Sequence, residues 1–164
     1  MRNLKLMLFF MTVAMTPFFT NCSKDKNETV DVSGTYTGTI KIDVIGVETP
    51  NSIAVLTKTG EKYTLQLQNL NFDLSTMIPS TIVAIGDVSI TNVAISNGIL
   101  SGGDEKSIDV TLPPALAAMA GATEVTVKVS LVNGTISDNN LKFTLIVNDV
   151  PAITTVPVSL DGNK

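Results

Sequence analysis

Histidine and tryptophan are absent from the 164 residues of this chain, and beyond residue 22 it has no cysteine and no arginine. A Ser-His-Asp triad, a Cys-His pair and a histidine-ligated zinc site are therefore excluded. The one Ser-x-x-Lys sequence, at Ser23 and Lys26, lies in a polar stretch where nothing would desolvate the lysine or form an oxyanion hole. These absences predict a protein that is not an enzyme.

Carboxylates are the remaining groups that could act on a substrate or bind a cation. Asp104, Glu105 and Asp109 follow two glycines, and such a stretch is typical of a solvated loop. Neither this group nor the Asp-Asn-Asn run at 138–140 has the spacing of a known calcium loop. We therefore expect no catalytic residue, no metal site and no cofactor.

The charge balance excludes a further class of protein. Beyond residue 21 the chain has nine lysines and fifteen acidic residues, a net charge of −6. Nucleic-acid binding depends on lysines and arginines that neutralise phosphates, and arginine also reads base edges. A chain with this charge and no arginine is not expected to bind nucleic acid.

The first 22 residues have the pattern of a bacterial export signal. Arg2 and Lys5 precede an almost wholly apolar run at 6–19, and Cys22 follows shortly after. The run is too short, and too interrupted by a proline, to span a bilayer, which takes about 20 apolar residues. We therefore predict a cleaved lipoprotein signal peptide at 1–21 and lipid attachment to Cys22.

The residues around Cys22 leave one alternative to lipidation and indicate where the protein is located. Asn21 departs from the small residue that usually precedes a lipidated cysteine, so the alternative is an ordinary secretory signal with a chance cysteine. Residues 22–32 are polar and suit a flexible tether to a folded domain at 33–164. We expect a cell-envelope lipoprotein of the outer membrane. Two lysines interrupt the acidic run that is typical of surface export. The sequence therefore does not decide between the periplasmic face and the surface face of the outer membrane.

From residue 33 onward, apolar and polar residues alternate with a period of two, which predicts an all-β domain. In the first strand the alternation places Tyr36, Ile40, Ile42 and Val44 on the buried face. An alanine-rich stretch at 115–121 predicts one short helix. The predicted strands lie at 35–44, 53–57, 63–67, 81–85, 88–95, 108–112, 123–136, 141–147 and 155–160.

Eight or nine antiparallel strands in a domain of this size fit a small up-and-down barrel or a closed sandwich. We favour the barrel, because closure removes the edges that so many β-branched strands would otherwise expose. Residues 59–62 and 96–98 have the composition of tight turns, and a loop-like passage is expected at 69–79. Gly38, Gly46 and Gly134 are expected to mark bulges or sharp bends of the sheet.

Four segments together resemble a known family. They are VSGTYTGTI at 32–40, YTLQLQNLNF at 63–72, IGDV at 85–88 and VSLVNGTI at 129–136. They resemble the calycin-like β-barrel domain of Bacteroidetes-type lipoproteins, whose fold is similar to that of lipocalins. The resemblance implies a small barrel on a lipid anchor with space for an interior cavity, and it implies no catalytic residues.

An eight-stranded barrel is at the size where side chains either just fill the interior or leave room for one small ligand. The sequence leaves both open, because the inward positions are mostly Val, Ile and Leu. A ligand would be apolar and would contact two irregular segments that could cover a barrel mouth. The candidate ligand-binding residues are Phe72, Met77, Leu116 and Met119, whose simpler interpretation is that they plug the barrel end as ordinary core.

Two functions follow from these alternatives. The first is a non-enzymatic, membrane-anchored envelope lipoprotein that binds a lipid or another small apolar ligand in or at the mouth of its barrel. The second is a structural or interaction lipoprotein with a filled barrel. That protein would bind another envelope protein through an exposed apolar patch or a free β-edge.

Overall fold

Strands follow the alternating stretches of the sequence. The computed structural model describes residues 31–75, 78–150 and 153–164. In these ranges the chain forms nine strands, one α-helix and one turn of 3-10 helix. In chain order they are β1 (Gly34–Ile42), the 3-10 helix (Asp43–Ile45), β2 (Val47–Thr59), β3 (Lys62–Asp73), β4 (Ile82–Ser96), β5 (Ile99–Gly102), β6 (Lys106–Thr111), α1 (Pro114–Ala120), β7 (Glu124–Ile136), β8 (Asn140–Val150) and β9 (Ile153–Asn163).

The strands pair antiparallel and most successive strands are neighbours. The sheet runs in the order β5-β4-β3-β2-β1-β9-β8-β7-β6, and β5 also pairs with β7. This last pairing places Ile99 opposite Thr135 and Leu100 opposite Gly134, and it closes an eight-strand barrel. The predicted all-β, up-and-down barrel with one short helix is confirmed, and the sandwich alternative is wrong.

The eighth position of the barrel is occupied by two short strands rather than one. β5 pairs with both β4 and β7, whereas β6 pairs only with β7. Within residues 82–111, all of which the structure describes, no ladder joins β4 to β6. A backbone hydrogen bond from the Asp104 amide to the Thr91 carbonyl oxygen, 2.9 Å long, lies beside this interruption. We call the facing edges of β4 (82–91) and β6 (106–111) the seam.

The inward-facing residues form one continuous apolar core. Tyr36, Ile40 and Ile42 of β1 are buried, as the alternation predicts. Most members of this core are medium-sized aliphatic side chains. The largest fully buried side chains are Tyr36, Ile40, Ile42, Leu56, Leu65, Leu67, Leu70, Ile90, Leu100, Leu141, Leu145 and Val88.

Val44 departs from the predicted first strand. β1 ends at Ile42 and the chain turns into the 3-10 helix, where Val44 is 55% exposed. Gly46 follows with φ 64°, a left-handed conformation that glycine adopts without strain. The prediction that Val44 faces inward is wrong, because sides alternate only while the backbone stays extended.

β4 is one continuous strand where the sequence predicts two. The pairing of β3 with β4 shifts register between Leu67 and Leu70, and Gly86 within this bulge has φ 82°. The Asp87 carboxylate accepts a hydrogen bond from the Asn69 amide over 2.9 Å, which holds the bulge together. The irregularity therefore bends β4 without breaking it. β3 likewise continues to Asp73, into the stretch predicted as loop-like.

Gly38 and Gly134 lie at irregular positions of the sheet, as expected. The pairing of β1 with β2 shifts register between Gly38 and Ile40. The pairing of β7 with β8 shifts between Leu131 and Asn133, directly before Gly134. Both shifts are bulges, which increase the local twist and help the sheet to curl into a barrel.

Candidate functional site

The two ends of the barrel differ in how the strands are joined. At the end that we call closed, β2 joins β3 through Gly60-Glu61, β4 joins β5 through Asn97-Gly98, and β7 joins β8 through residues 137–139. The opposite end, which we call the mouth, has the connections at 43–46, 74–81, 112–123 and 151–152, and the connection at 103–105 between β5 and β6 lies at neither end. Tight hairpins thus define one end, and mostly longer segments define the other.

The closed end is covered by the residues that precede β1. Val32 is 8% exposed and belongs to the core, and its carbonyl oxygen accepts a hydrogen bond from the Tyr36 hydroxyl over 2.6 Å. The Lys58 amide donates to the Ser33 hydroxyl oxygen over 3.1 Å. Lys164 places its ammonium group 5.2 Å from the centroid of the Tyr36 ring, a cation–π distance. Side chains therefore fill this end.

An apolar cavity of about 210 Å³ lies inside the mouth. Every residue that lines it is Val, Ile, Leu, Phe or Met, and the walls include Val83 and Ile85 of β4 and Val110 of β6. The cavity therefore lies beside the seam. An apolar cavity of about 150 Å³ can bind benzene, whereas pockets for drug-sized ligands begin near 300 Å³. This cavity has room for a small ring or part of an alkyl chain.

Three of the four candidate ligand-binding residues line this cavity. Phe72, near the end of β3, is 5% exposed. Leu116 and Met119 lie three positions apart on one face of α1, and Met119 is 68% exposed. Met77 lies outside the described residues. The structure thus brings together three candidates that are distant in sequence, and their role in ligand binding remains a prediction.

Helix α1 covers part of the mouth. Pro114 stands in its first turn, where the missing amide costs nothing. Gly121 ends the helix with φ 69°, and its amide donates to the Ala117 carbonyl oxygen over 2.9 Å. No residue of α1 is fully buried. The helix therefore lies over the core rather than within it.

Several lining residues were not among the candidates. Val83, Ile85 and Val110 occupy inward positions of predicted strands close to the mouth. The alternation therefore identifies them as core residues, but not as residues that line a cavity. Ile45 and Val150 lie at or beside strand ends, and both are half-buried. No local pattern identifies these two, because their position depends on how the connections fold across the mouth.

Comparison with protein families gives one match. Residues 32–159 match the family of the calycin-like β-barrel domain. The chain belongs to this family. Searches of curated proteins and of solved structures gave no match. Calycin-like domains are typically binding proteins rather than enzymes, and the barrel described above is compatible with binding a small ligand.

Charged residues surround the cavity of this calycin-like barrel but do not line it. Hydrogen bonds from the side chain and the amide of Ser75 hold the pKa of the Asp73 carboxyl below its ordinary value. Glu48, whose Oε1 lies 2.8 Å from the Lys41 ammonium, raises the pKa of Lys41 by hydrogen bonding and by charge attraction. Asp73 and Lys41 are therefore charged at neutral pH.

The carboxylates considered as catalytic or calcium ligands are separated. Asp104 accepts hydrogen bonds from the side chains of Thr91 and Asn92, over 2.7 and 2.6 Å. Asp109 lies on β6 rather than in a loop and accepts one from Thr126 over 2.6 Å. Among the residues that the structure describes, no three His, Cys, Asp or Glu side chains gather into a potential metal site.

Neither the 3-10 turn nor the single seven-residue α-helix of the described residues meets the length and hydropathy needed to cross a bilayer. A spanning helix needs about 20 predominantly apolar residues. No helix of that kind is found between residues 31 and 164 outside the two short gaps.

A second depression, of about 460 Å³, lies on the outer face of the barrel across β1, β9, β8, β7 and the start of β5. It is open, and polar groups such as Thr39 and Ser159 contribute to its walls. An ion pair crosses it, with the Lys142 ammonium 2.7 Å from Asp161 Oδ2. Hydrogen bonds from Lys142 and then Asn140 lower the pKa of Asp161. This surface encloses a ligand far less than the mouth cavity does.

Proposed function

We propose that the chain is a membrane-anchored envelope lipoprotein, without enzymatic activity, that binds a lipid or another small apolar ligand at the mouth of its barrel. The observation that supports this most is the wholly apolar lining of the mouth cavity. A polar ligand group placed there would lose its hydrogen bonds to water and find no replacement. The ligand, or the part of it that enters, is therefore apolar.

The cover of the cavity suits a ligand that enters and leaves. α1 has no fully buried residue, and Met119 is 68% exposed although it lines the cavity. A short helix with few buried contacts opens at low free energy. An alkyl chain under α1 would contact Phe72 and Leu116 and restore dispersion contacts that an empty space lacks. Methionine adapts its shape to such contacts.

The anchor and the cavity are placed at opposite ends in this proposal. The signal at 1–21 and a lipidated Cys22 hold the protein on the membrane, and residues 22–32 connect it to the barrel. The described chain reaches the barrel at the closed end, where Val32 packs. A tether that arrives there directs the mouth away from the anchoring membrane. The ligand would then come from the aqueous side or from a facing surface.

The second candidate is an interaction lipoprotein with a filled barrel. Two observations favour it: the closed end is filled, and apolar side chains are exposed on the outer surface, with Ile99 at 55% and Val132 at 48%. β6 also has an edge without a backbone ladder along the seam, where it faces β4. A partner protein could pair with that edge or cover those side chains.

The first test is native mass spectrometry of the fragment 23–164, purified gently from bacterial envelopes. The fragment contains all nine strands and the whole described core. A reproducible adduct that organic solvent releases is the expected result, and its mass identifies the ligand class. A bare protein mass would favour the filled-barrel alternative, and the search would turn to an envelope partner.

A matched pair of variants then tests whether the ligand binds under α1. Met119→Asp puts a charge at the apolar cavity and is expected to weaken retention of an apolar ligand about tenfold or more, with unchanged β-rich circular dichroism. Val132→Asp puts the same charge on an exposed apolar residue that does not line the cavity. Equal retention by Met119→Asp, Val132→Asp and the parent protein would contradict a site under α1.

A further inference from the structure

The charges of the described barrel are divided unevenly between its ends. Four carboxylates and four lysines balance at the closed end: Asp31, Glu61, Asp138 and Asp161, with Lys58, Lys62, Lys142 and Lys164. Six carboxylates oppose two lysines at the mouth: Asp43, Glu48, Asp73, Asp109, Glu124 and Asp149, with Lys41 and Lys128. The closed end is thus neutral, and the mouth carries a charge of −4.

The two lysines at the mouth are already engaged. The Lys41 ammonium lies 2.8 Å from Glu48, and the Lys128 ammonium lies 3.5 Å from Asp149. Among the described residues, the other four mouth carboxylates have no lysine within ion-pair distance. Each of them lies within two positions of a residue that lines the cavity, as the pairs Asp43 with Ile45, Asp73 with Phe72, Asp109 with Val110 and Glu124 with Val125 show.

The cavity itself determines where a charged group of a ligand would be. Its lining is apolar throughout, so the polar head of an amphiphile stays outside in the mouth while the chain enters. Asp73, Asp109 and Glu124 alternate with inward-facing residues and lie exposed on the outer face of the rim, so the head is subject to their field rather than in contact with them. That field extends about one Debye length, about 8–10 Å at physiological salt. The low-dielectric barrel wall reduces screening on one side and strengthens their field.

We infer that the mouth cavity selects amphiphiles with a cationic head, such as an amine or a quaternary ammonium, over amphiphiles of equal chain length with a carboxylate or phosphate head. This inference rests on the proposed function, because it needs a chain in the cavity. The cavity supplies the site and the carboxylates supply the choice of head group. Fatty acids, the simplest apolar ligands with a charged head, are then poor ligands.

The test compares three eight-carbon compounds below their micelle concentrations: 1-octanol, octyltrimethylammonium and octanoate. Each displaces an uncharged fluorescent naphthylamine probe from the fragment 23–164 at pH 7. We expect octanol to compete and octyltrimethylammonium to bind about tenfold more tightly than octanoate at about 0.01 M salt. The preference should fall towards unity at about 1 M salt, where the Debye length is about 3 Å.

Paired variants distinguish the effect of the mouth carboxylates from the effect of the net charge of the protein. The double variant Asp43→Asn, Asp73→Asn removes two mouth carboxylates and should reduce the preference severalfold. The control Glu61→Gln, Asp138→Asn makes the same change in net charge at the closed end and should preserve the preference. Octanol binding with no cation preference, or an equal loss in both variants, would overturn the inference alone. Failure of octanol and the probe to bind at all would overturn the proposed function with it.

Discussion

The closed end and the mouth are made by the same strands, and the apolar cavity of about 210 Å³ lies at the mouth. At the closed end, turns of two or three residues keep neighbouring strands paired to their tips, and Val32 and Tyr36 cover the interior. At the mouth the chain leaves the ladders for longer segments, and β6 does not pair with β4. The cavity therefore lies where the backbone pairing is interrupted.

The difference is encoded in the connecting residues. Asn97 and Gly98 both have positive φ, at 51° and 73°, as the tightest hairpin turns require. At the mouth, Pro113 precedes α1 and Pro114 begins it, and because neither has an amide to continue a ladder, the chain leaves the sheet there. Sequence therefore determines which end of this barrel has tight hairpins and which end is partly covered by a helix.

The largest contrast is expected from truncating one leucine at each end. Leu100 is fully buried beside the β5–β7 closure, so Leu100→Ala should lower the free energy of unfolding by about 3 kcal/mol. Leu116 borders a cavity that already exists and is only half-buried, so Leu116→Ala should cost about 1 kcal/mol or less. Urea unfolding measures both. Equal losses would mean that the mouth is packed as tightly as the closed end.

A glycine pair gives the next contrast. A Cβ at Gly38 would lie against the Asp161 carbonyl oxygen and 2.5 Å from the Gly162 Cα, both backbone atoms of β9. Gly38→Ala should therefore push β1 from β9 and cost about 2 kcal/mol. Gly46, at the mouth, has open space around its Cβ position but φ 64°, so Gly46→Ala should cost about 1 kcal/mol.

Thermal unfolding of both glycine variants checks this order. Gly38→Ala should lower the Tm more than Gly46→Ala does. If the Gly46 variant proved the less stable, backbone conformation at the mouth would matter more than close strand approach near the closed end. Backbone strain, rather than side-chain packing, would then be the main difference in stability between the two ends.

Local patterns predicted most of the fold because each strand and hairpin is a short-range feature. The alternation at 123–136 predicted β7, which spans Glu124–Ile136, and the turn residues at 59–62 and 96–98 gave the hairpins at the closed end. The four-residue β5 was missed because it is too short to show a period. The predicted break in β4 was wrong because a bulge at Gly86 continues the strand in an altered register.

The site was only partly predictable, for a different physical reason. Phe72, Leu116 and Met119 stood out as apolar residues in segments without strand periodicity. Val83 and Val110 looked like ordinary core, and they line a cavity because β4 and β6 do not pair. Such pairing joins residues far apart in the chain, and no local pattern encodes its absence. Domain boundaries and the lipid anchor remain predictions.

The smallest contrast is in acid stability. Hydrogen bonds from Lys142 and Asn140 lower the pKa of Asp161 near the closed end, and Ser75 alone lowers that of Asp73 at the mouth. A carboxyl with a lowered folded-state pKa stabilises the fold above its unfolded pKa, here near the ordinary aspartate value of 3.8, and loses this contribution as pH falls through the folded pKa. Asp161→Asn and Asp73→Asn should each make the loss of stability below about pH 4 slightly shallower.

Salt distinguishes the two carboxylates. The partner of Asp161 is a lysine on the neighbouring strand, so ions should screen part of its contribution, whereas Asp73 bonds an uncharged serine two residues away. Both effects should be small, because both carboxylates are exposed. Acid unfolding of each Asn variant against the parent, at about 0.05 and 1 M salt, measures this. A salt-sensitive difference at Asp73 but not at Asp161 would contradict it, since the ion pair across β8 and β9 would then add nothing to the closed end.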